Sequence, residues 1–436
     1  MPSPRGSDIL PANLQAAPFR RNGRKRRDDP IMTSLRDMQS PAAGIAARRP
    51  MLFTLMIASA LSPLAINIFI PSMASIADDL MAEEAIVGLG LSLYLAATAL
   101  IQLLAGPLSD RYGRRPVIIG GMVLFMAGTF MCIAAEGVGL FLAGRVVQAA
   151  SATGIALSRA IVRDVYERER AAAMIGYVTM GFAVAPLLGP LVGGTIDTAF
   201  GWRMVFWLLA AIGALTLGLL FADLSETNAE RGKPMRDQFK NYGVLLSAGS
   251  FWTYALVSAL ISAVFFAFLG GAPFVAVNIL HMTPAAYGLW FGLCAAGYIA
   301  GNFVTAQLSE RLGIKTLMVA GSAISMGAAL LSLGFIAYGW LTPLTLFGPM
   351  FLVGIGNGLA TPTSTAGGIS VVPHAAGAAA GMLGALQIGT GALASFVASL
   401  VATRHGGPLG LFALMSAFGL GSLIVALMVR RVRHAP

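Results

Sequence analysis

Several groups of residues in this chain have types and spacings that could do chemistry. Arg145 and Gln148 stand three apart inside an apolar run, Phe141-Leu-Ala-Gly-Arg145-Val-Val-Gln148. An arginine in such a run costs roughly 2.5–3.5 kcal/mol on membrane-insertion scales, so it is a functional candidate by default, able to bind an anionic or carbonyl-rich ligand. Snorkelling to an interface, or satisfaction by backbone carbonyls, is the plain alternative. Asn67, in Asn67-Ile-Phe69-Ile-Pro71, can exchange hydrogen bonds and cannot titrate. A polar loop carries Gly106, Asp110, Arg111, Gly113, Arg114 and Arg115. Its glycines permit a tight turn, and its acid can meet its bases or positive helix ends. Gly176, Pro186, Gly189, Pro190, Gly193 and Gly194 do no bond chemistry. They interrupt a helical ladder and let another backbone come close. Phe265, Phe268 and Asn357 supply the aromatic surface and scattered amides of an apolar pocket. Each aromatic taken alone is more often a packing or lipid contact than a pocket residue.

The elements that position these residues are transmembrane helices. Only 11% of the 436 residues are charged and 57% are hydrophobic, against about 25% charged in soluble domains. The net charge of +10 does not point to nucleic acid, because the bases stand in short clusters between apolar runs. Spans of roughly 20 residues suffice to cross a bilayer. They are expected near 51–72, 86–106, 116–135, 138–161, 172–195 and 203–223. A second set falls near 249–276, 285–307, 316–338, 343–366, 377–402 and 408–429. With the N-terminus inside, all but Arg145, Arg203 and Arg404 of the 29 lysines and arginines fall in cytoplasmic segments. The fold class is therefore an all-α membrane protein of twelve helices. Residues 1–50 read as a disordered basic cytoplasmic tail, with Met32 and Met38 as alternative starts. Residues 51–223 form the first six-helix half, 224–243 a cytoplasmic linker, 244–430 the second half and 431–436 a cytoplasmic tail. Segments 91–121 and 291–321 align at an offset of 200, with identities at Leu108/Leu308, Ser109/Ser309, Arg111/Arg311 and Gly113/Gly313. An even number of helices separates them, so the halves are parallel repeats with a path between them.

Cys132 and Cys294 stand alone in apolar runs and read as core filler. Four scattered histidines and acid-free spans argue against a membrane enzyme. No Gly-x4-Gly-Lys-Ser/Thr phosphate loop occurs, which argues against an ATP-driven pump. No cofactor or metal is expected.

The loop from Gly106 to Arg115 resembles the signature between helices 2 and 3 of the major facilitator superfamily. Residues 141–150 resemble that family's helix-4 motif, with Ala149 where a glycine is usual. The run Gly189-Pro190-x-x-Gly193-Gly194 resembles the helix-5 antiporter motif of drug exporters. Asn67 to Met73 resembles the helix-1 segment of the Bcr/CflA drug-resistance branch. The resemblance spans about residues 50–430. It implies alternating-access export of a small-molecule substrate from a bacterial-type inner membrane, by a monomer with both termini cytoplasmic. It also implies a gating role for the Asp110 loop and proton antiport through a helix-1 acid. That acid is Asn67 here. Coupling then falls to a rim acid such as Asp164 or Asp223, to a cationic substrate running down its gradient, or to a substrate whose own charge does the coupling. The last case includes an anion held by Arg145 beside Asn67. An importer or uniporter of a small polar or anionic metabolite is the rival reading.

Overall fold

The computed structural model describes residues 50–166, 168–228, 232, 242–372 and 376–429. All but residue 50 of the expected tail 1–50, the expected tail 431–436 and most of the expected linker lie outside the described residues.

Twelve long helices run through the described residues. The first half contains α1 (Leu52–Asp79), α2 (Glu84–Tyr112), α3 (Arg114–Ile133), α4 (Val138–Val165), α5 (Arg168–Phe200) and α6 (Trp202–Asp223). The second contains α7 (Gly249–Ile279), α8 (Pro284–Leu312), α9 (Ile314–Ala337), α10 (Pro343–Ser370), α11 (Ala376–Leu400) and α12 (Gly407–Met428). Eleven carry an apolar stretch long enough to cross a membrane. The other is α5, 33 residues long. Helix starts follow from local chemistry. The Thr283 hydroxyl accepts from Ala286 N–H ahead of α8, and Thr342 with Thr345 forms a capping box ahead of α10.

The repeat is visible in the backbone. α2 and α8 are 29 residues each and start at Glu84 and Pro284, 200 positions apart. Gly113 and Gly313 both end their helices with positive φ, +104° and +76°, at ψ 155°. That region of backbone space is essentially restricted to glycine, so the two motif glycines fix the turn. The turns at the opposite end repeat as well, with Met81 at φ +48° and His281 at φ +52°.

α1 and α4 each change pitch midway. A tight 3-10 turn at Ile70–Ser72 carries Pro71, and another at Ala149–Ser151 follows Gln148. These bends sit beside the residues of interest. Between helices that share a lipid solvent, close packing rather than hydrophobic exclusion holds the bundle.

Candidate functional site

A pocket lies where the halves meet, with about 900 Å³ of space between atoms, open solvent included. Its wall comes from α1, α2 and α4 of the first half and α7, α8, α10 and α11 of the second. The wall is mainly apolar, with the Phe265 ring in contact with Phe266 at 5.5 Å and with Phe291 at 6.2 Å. Amides interrupt it: Asn67, Gln102, Asn357 and Gln387. Four wall atoms are buried without a hydrogen-bond partner, namely Asn67 Oδ1, Thr98 Oγ1, Ser262 Oγ and Thr361 Oγ1. A buried polar atom left unpaired costs roughly 1–3 kcal/mol, which a hydrogen-bonding guest recovers. Asn67 spends one amide N–H on Pro63 O at 2.7 Å, and its carbonyl oxygen is left without a partner. Among the described residues, no charged side chain lines the wall.

Arg145, expected beside Asn67 at the substrate, is not part of this cavity's wall. Arg145 is fully buried and does not reach the cavity. Its Nη2 donates to Ala65 O at 3.2 Å and its Nε to Gly90 O at 3.4 Å, while Nη1 donates to Gln148 Oε1. The guanidinium lies 4.0 Å from the Phe69 ring centroid and 4.5 Å from that of Tyr94. The bend in α1 brings Phe69 under it. Carbonyls and aromatic faces, not an anion, satisfy the cation. Gln148 also leaves the cavity, donating to Thr129 Oγ1 at 2.9 Å. Phe268 is packed among Phe291, Phe347 and Phe412 in the second half. Of the six expected substrate residues, the cavity wall gathers Asn67, Phe265 and Asn357.

The polar loop is a charge cluster. Arg114 pairs with Asp110 at 2.5 Å and with Asp164 on α4 at 3.0 Å. Glu226, just past α6, accepts from the backbone N–H of Arg114 at 2.9 Å and of Arg115 at 3.2 Å. Its carboxylate thus sits on the positive N-terminus of α3, where helix dipole and free N–H groups favour an anion. A Cβ at Gly113 would strike that carboxylate. The Asn228 amide donates to Ser109 O and Asp110 O at 3.3 Å. Tyr242 donates to Leu103 O at 3.3 Å; burial pushes its phenol up, and the charge of Asp110 adds to the rise. Arg111 stacks on the neighbouring Tyr112 ring at 5.4 Å. Gly106 has open space around it. The one ready signal for Glu226 is an acid shortly after α6, at a distance in sequence that only the fold closes.

The two rim acids are engaged at this same end. Asp223 accepts from Met51 N–H at 2.6 Å and Thr54 Oγ1 at 2.9 Å. Asp164 holds Arg114 and accepts from Thr227 at 3.2 Å.

At the opposite end the halves touch closely. A Cβ at Gly194 would meet the Pro284 carbonyl, and one at Gly288 would meet the Pro190 carbonyl. Gly189 and Gly193 turn instead to Asn67 and Ile68 of α1. The glycine–proline face of α5 therefore slots between α1 and α8. The surroundings of Gly176 and Pro186 lie outside the described residues. Asn278 of α7 donates to Glu84 of α2, and Ala285 N–H to Thr198 Oγ1 at 3.3 Å. Within the first half, Arg203 pairs with Asp79 at 2.6 Å.

If the Arg114 cluster must break and re-form in each cycle, Asp110→Asn slows turnover several-fold with little change in substrate Kd. Glu226→Gln does the same by weakening the grip on α3, a helix-end charge being worth roughly 0.3–1 kcal/mol. Single-turnover and equilibrium binding measurements on purified protein check this. Unchanged turnover in both variants would remove the gating role.

The family described as Major Facilitator Superfamily matches residues 55–387. Multidrug resistance protein D of Escherichia coli K12 is 31% identical over 85% of this chain and 93% of its own. A bicyclomycin resistance protein homolog of Haemophilus influenzae is 27% identical over 80% and 89%. The crystal structure of a bacterial homolog to human lysosomal transporter Spinster, inward-facing and unoccupied, superposes with TM-score 0.67 at 18% identity, covering 87% of this chain and 95% of that one.

Proposed function

With the chain a member of the Major Facilitator Superfamily, and so a membrane transporter of small molecules rather than an enzyme, we propose that it exports amphiphilic, drug-like compounds across a bacterial inner membrane by alternating access. The observation that carries this is the cavity between the halves, with aromatic walls and four unpartnered hydrogen-bonding atoms. Such a wall accepts many apolar shapes and orients them weakly. The similarity to multidrug and bicyclomycin resistance proteins favours export over import.

The excess of basic residues at the Asp110 end makes that end cytoplasmic, with both chain termini on the same side. The packed end, with Gly194 on Pro284, is then the outer gate, shut in this conformation. Monomers suffice, since each chain contains a whole cavity. The residues named for recognition are Asn67, Phe265 and Asn357. Coupling does not pass through Asn67, because an amide has no proton to exchange near neutral pH.

The test is transport of cationic, neutral and anionic drugs into or out of proteoliposomes, with a pH-sensitive dye alongside. Substrate movement without matching proton release is the expected result. Asn67→Asp places a titratable group on the wall and should make transport depend on the pH gradient. An unchanged response in Asn67→Asp, or proton release from the unaltered protein, would overturn this account of coupling. Failure to move any amphiphile outward would overturn export itself.

A further inference from the structure

Arg159 lies on α4, one turn from the cavity-wall residue Ile155 towards the Asp110 end. It is half-buried and interacts electrostatically with the wall residue Tyr298 of α8 and with Arg163, one turn further on. Among the described residues it has no carboxylate partner and no hydrogen bond. It differs in this from Arg114 and Arg203, which are ion-paired, and from Arg145, which is hydrogen-bonded. An unpaired cation inside a bundle is costly and marks a ligand path by default. The wall beyond it carries no acid to oppose an anion.

Distances set the shape of the guest. Arg159 stands six residues inside the end of α4 and Asn67 fifteen inside the start of α1. At about 1.5 Å per residue they sit roughly 13 Å apart along the membrane normal. By the same count Phe265 and Phe266, sixteen and seventeen residues into α7, stand level with Asn67 at the deep end. The Asn67 carbonyl at the far end requests a donor.

The geometry points to amphiphilic anions as the substrate class: a carboxylate, sulfonate or phosphate held by Arg159 at the mouth, an apolar body on the phenylalanines, and a hydroxyl or amide N–H at Asn67. This rests on the exporter reading. It also supplies the missing coupling. An inside-negative membrane drives an anion outward, worth about 2.3 kcal/mol per charge per 100 mV, so no proton carrier is required.

Three dansyl probes that share one ring and one two-carbon arm make the test. Dansyl-taurine ends in a sulfonate, dansyl-ethanolamine in a hydroxyl and dansyl-ethylenediamine in an ammonium. Their Kd values are measured by fluorescence on the full chain in lipid nanodiscs, with empty nanodiscs subtracted. Expected is at least tenfold tighter binding of the sulfonate than of the ammonium, shrinking as salt rises. Arg159→Gln brings that ratio near one, and Arg159→Lys preserves it. In proteoliposomes with a potassium–valinomycin potential, the sulfonate leaves the negative interior fastest. Equal binding of the three probes, a preference for the ammonium, or a ratio untouched by Arg159→Gln overturns the proposal. The wild-type ratio decides the matter even if the glutamine variant does not fold. Transport of the neutral or cationic probe but not the anion would sink the anion inference and leave the exporter standing. Movement of none of them would sink both.

Discussion

Arg145→Ala is expected to abolish transport while leaving the protein inserted in the membrane. The guanidinium ties three helices: α4, which carries it, α1 through Ala65 O and α2 through Gly90 O. It also fills the space between Phe69 and Tyr94. Truncation leaves the Gln148 carbonyl without its donor, costing roughly 1–3 kcal/mol. It also leaves a void where a large side chain packed, which the neighbours only partly close. A loss of about 3 kcal/mol in the bundle's working geometry corresponds to roughly 100-fold in rate. Arg145→Lys keeps the charge but lacks the planar fork, so it should fall between wild type and alanine. Uptake of a fluorescent substrate by vesicles measures the effect, with size-exclusion of the purified protein reporting insertion and folding. Full activity in the alanine variant would show that the helix-4 arginine has no part in transport.

The second large effect comes from the end proposed as the outer gate. Gly194→Val puts a branched side chain against the Pro284 carbonyl, and Gly288→Val does the same against Pro190. Backbone cannot yield as a side chain would, and overpacking of this kind costs roughly 1–3 kcal/mol. The closed outer end is penalised and the open one is not. The equilibrium should shift outward by about tenfold or more, since 1.4 kcal/mol is one decade. Cys294 reports it, because its side chain is part of the cavity wall. In a Cys132→Ser background, a membrane-impermeant maleimide applied outside should label the valine variants about ten times faster than the parent. Transport should be lost. Gly292→Val, on the same helix with open space around it, is the silent control. Identical labelling in parent and Gly194→Val would mean that the α5–α8 contact does not seal the gate.

Sequence reading captured the twelve helices because their apolar runs match the bilayer's thickness. It placed several helix ends too early. α1 continues past 72 to Asp79 and α4 past 161 to Val165. Those last turns are polar, and hydropathy cannot see a helix that continues into the headgroup region. The Gly113 turn was legible because only glycine occupies that backbone region. The polar cavity wall was only half legible. Thr98, Ser262 and Thr361 look like ordinary small residues in apolar helices, and only packing shows their hydroxyls unpaired. Arg159 falls among the cytoplasmic bases by charge count and near the edge of the expected span 138–161, yet it sits two turns inside α4. Arg145 misled in the other direction. Its charge suggested a ligand, but the aromatic faces of Phe69 and Tyr94 come from other helices and cannot be read from its neighbours in sequence.

The burial of Arg145 without a carboxylate has an electrical consequence. Its partners are dipoles and ring faces, which leave its unit charge uncancelled. A bundle whose first half carries a net positive centre feels the membrane voltage whenever that half rocks. If the motion carries this centre through a quarter of the field, each 100 mV changes the balance of the two states by about 0.6 kcal/mol. An energised cell, negative inside, then biases the empty carrier towards the conformation that sets Arg145 electrically closest to the cytoplasm. Voltage would act as a resting tension on the machine, setting which way it waits between substrates.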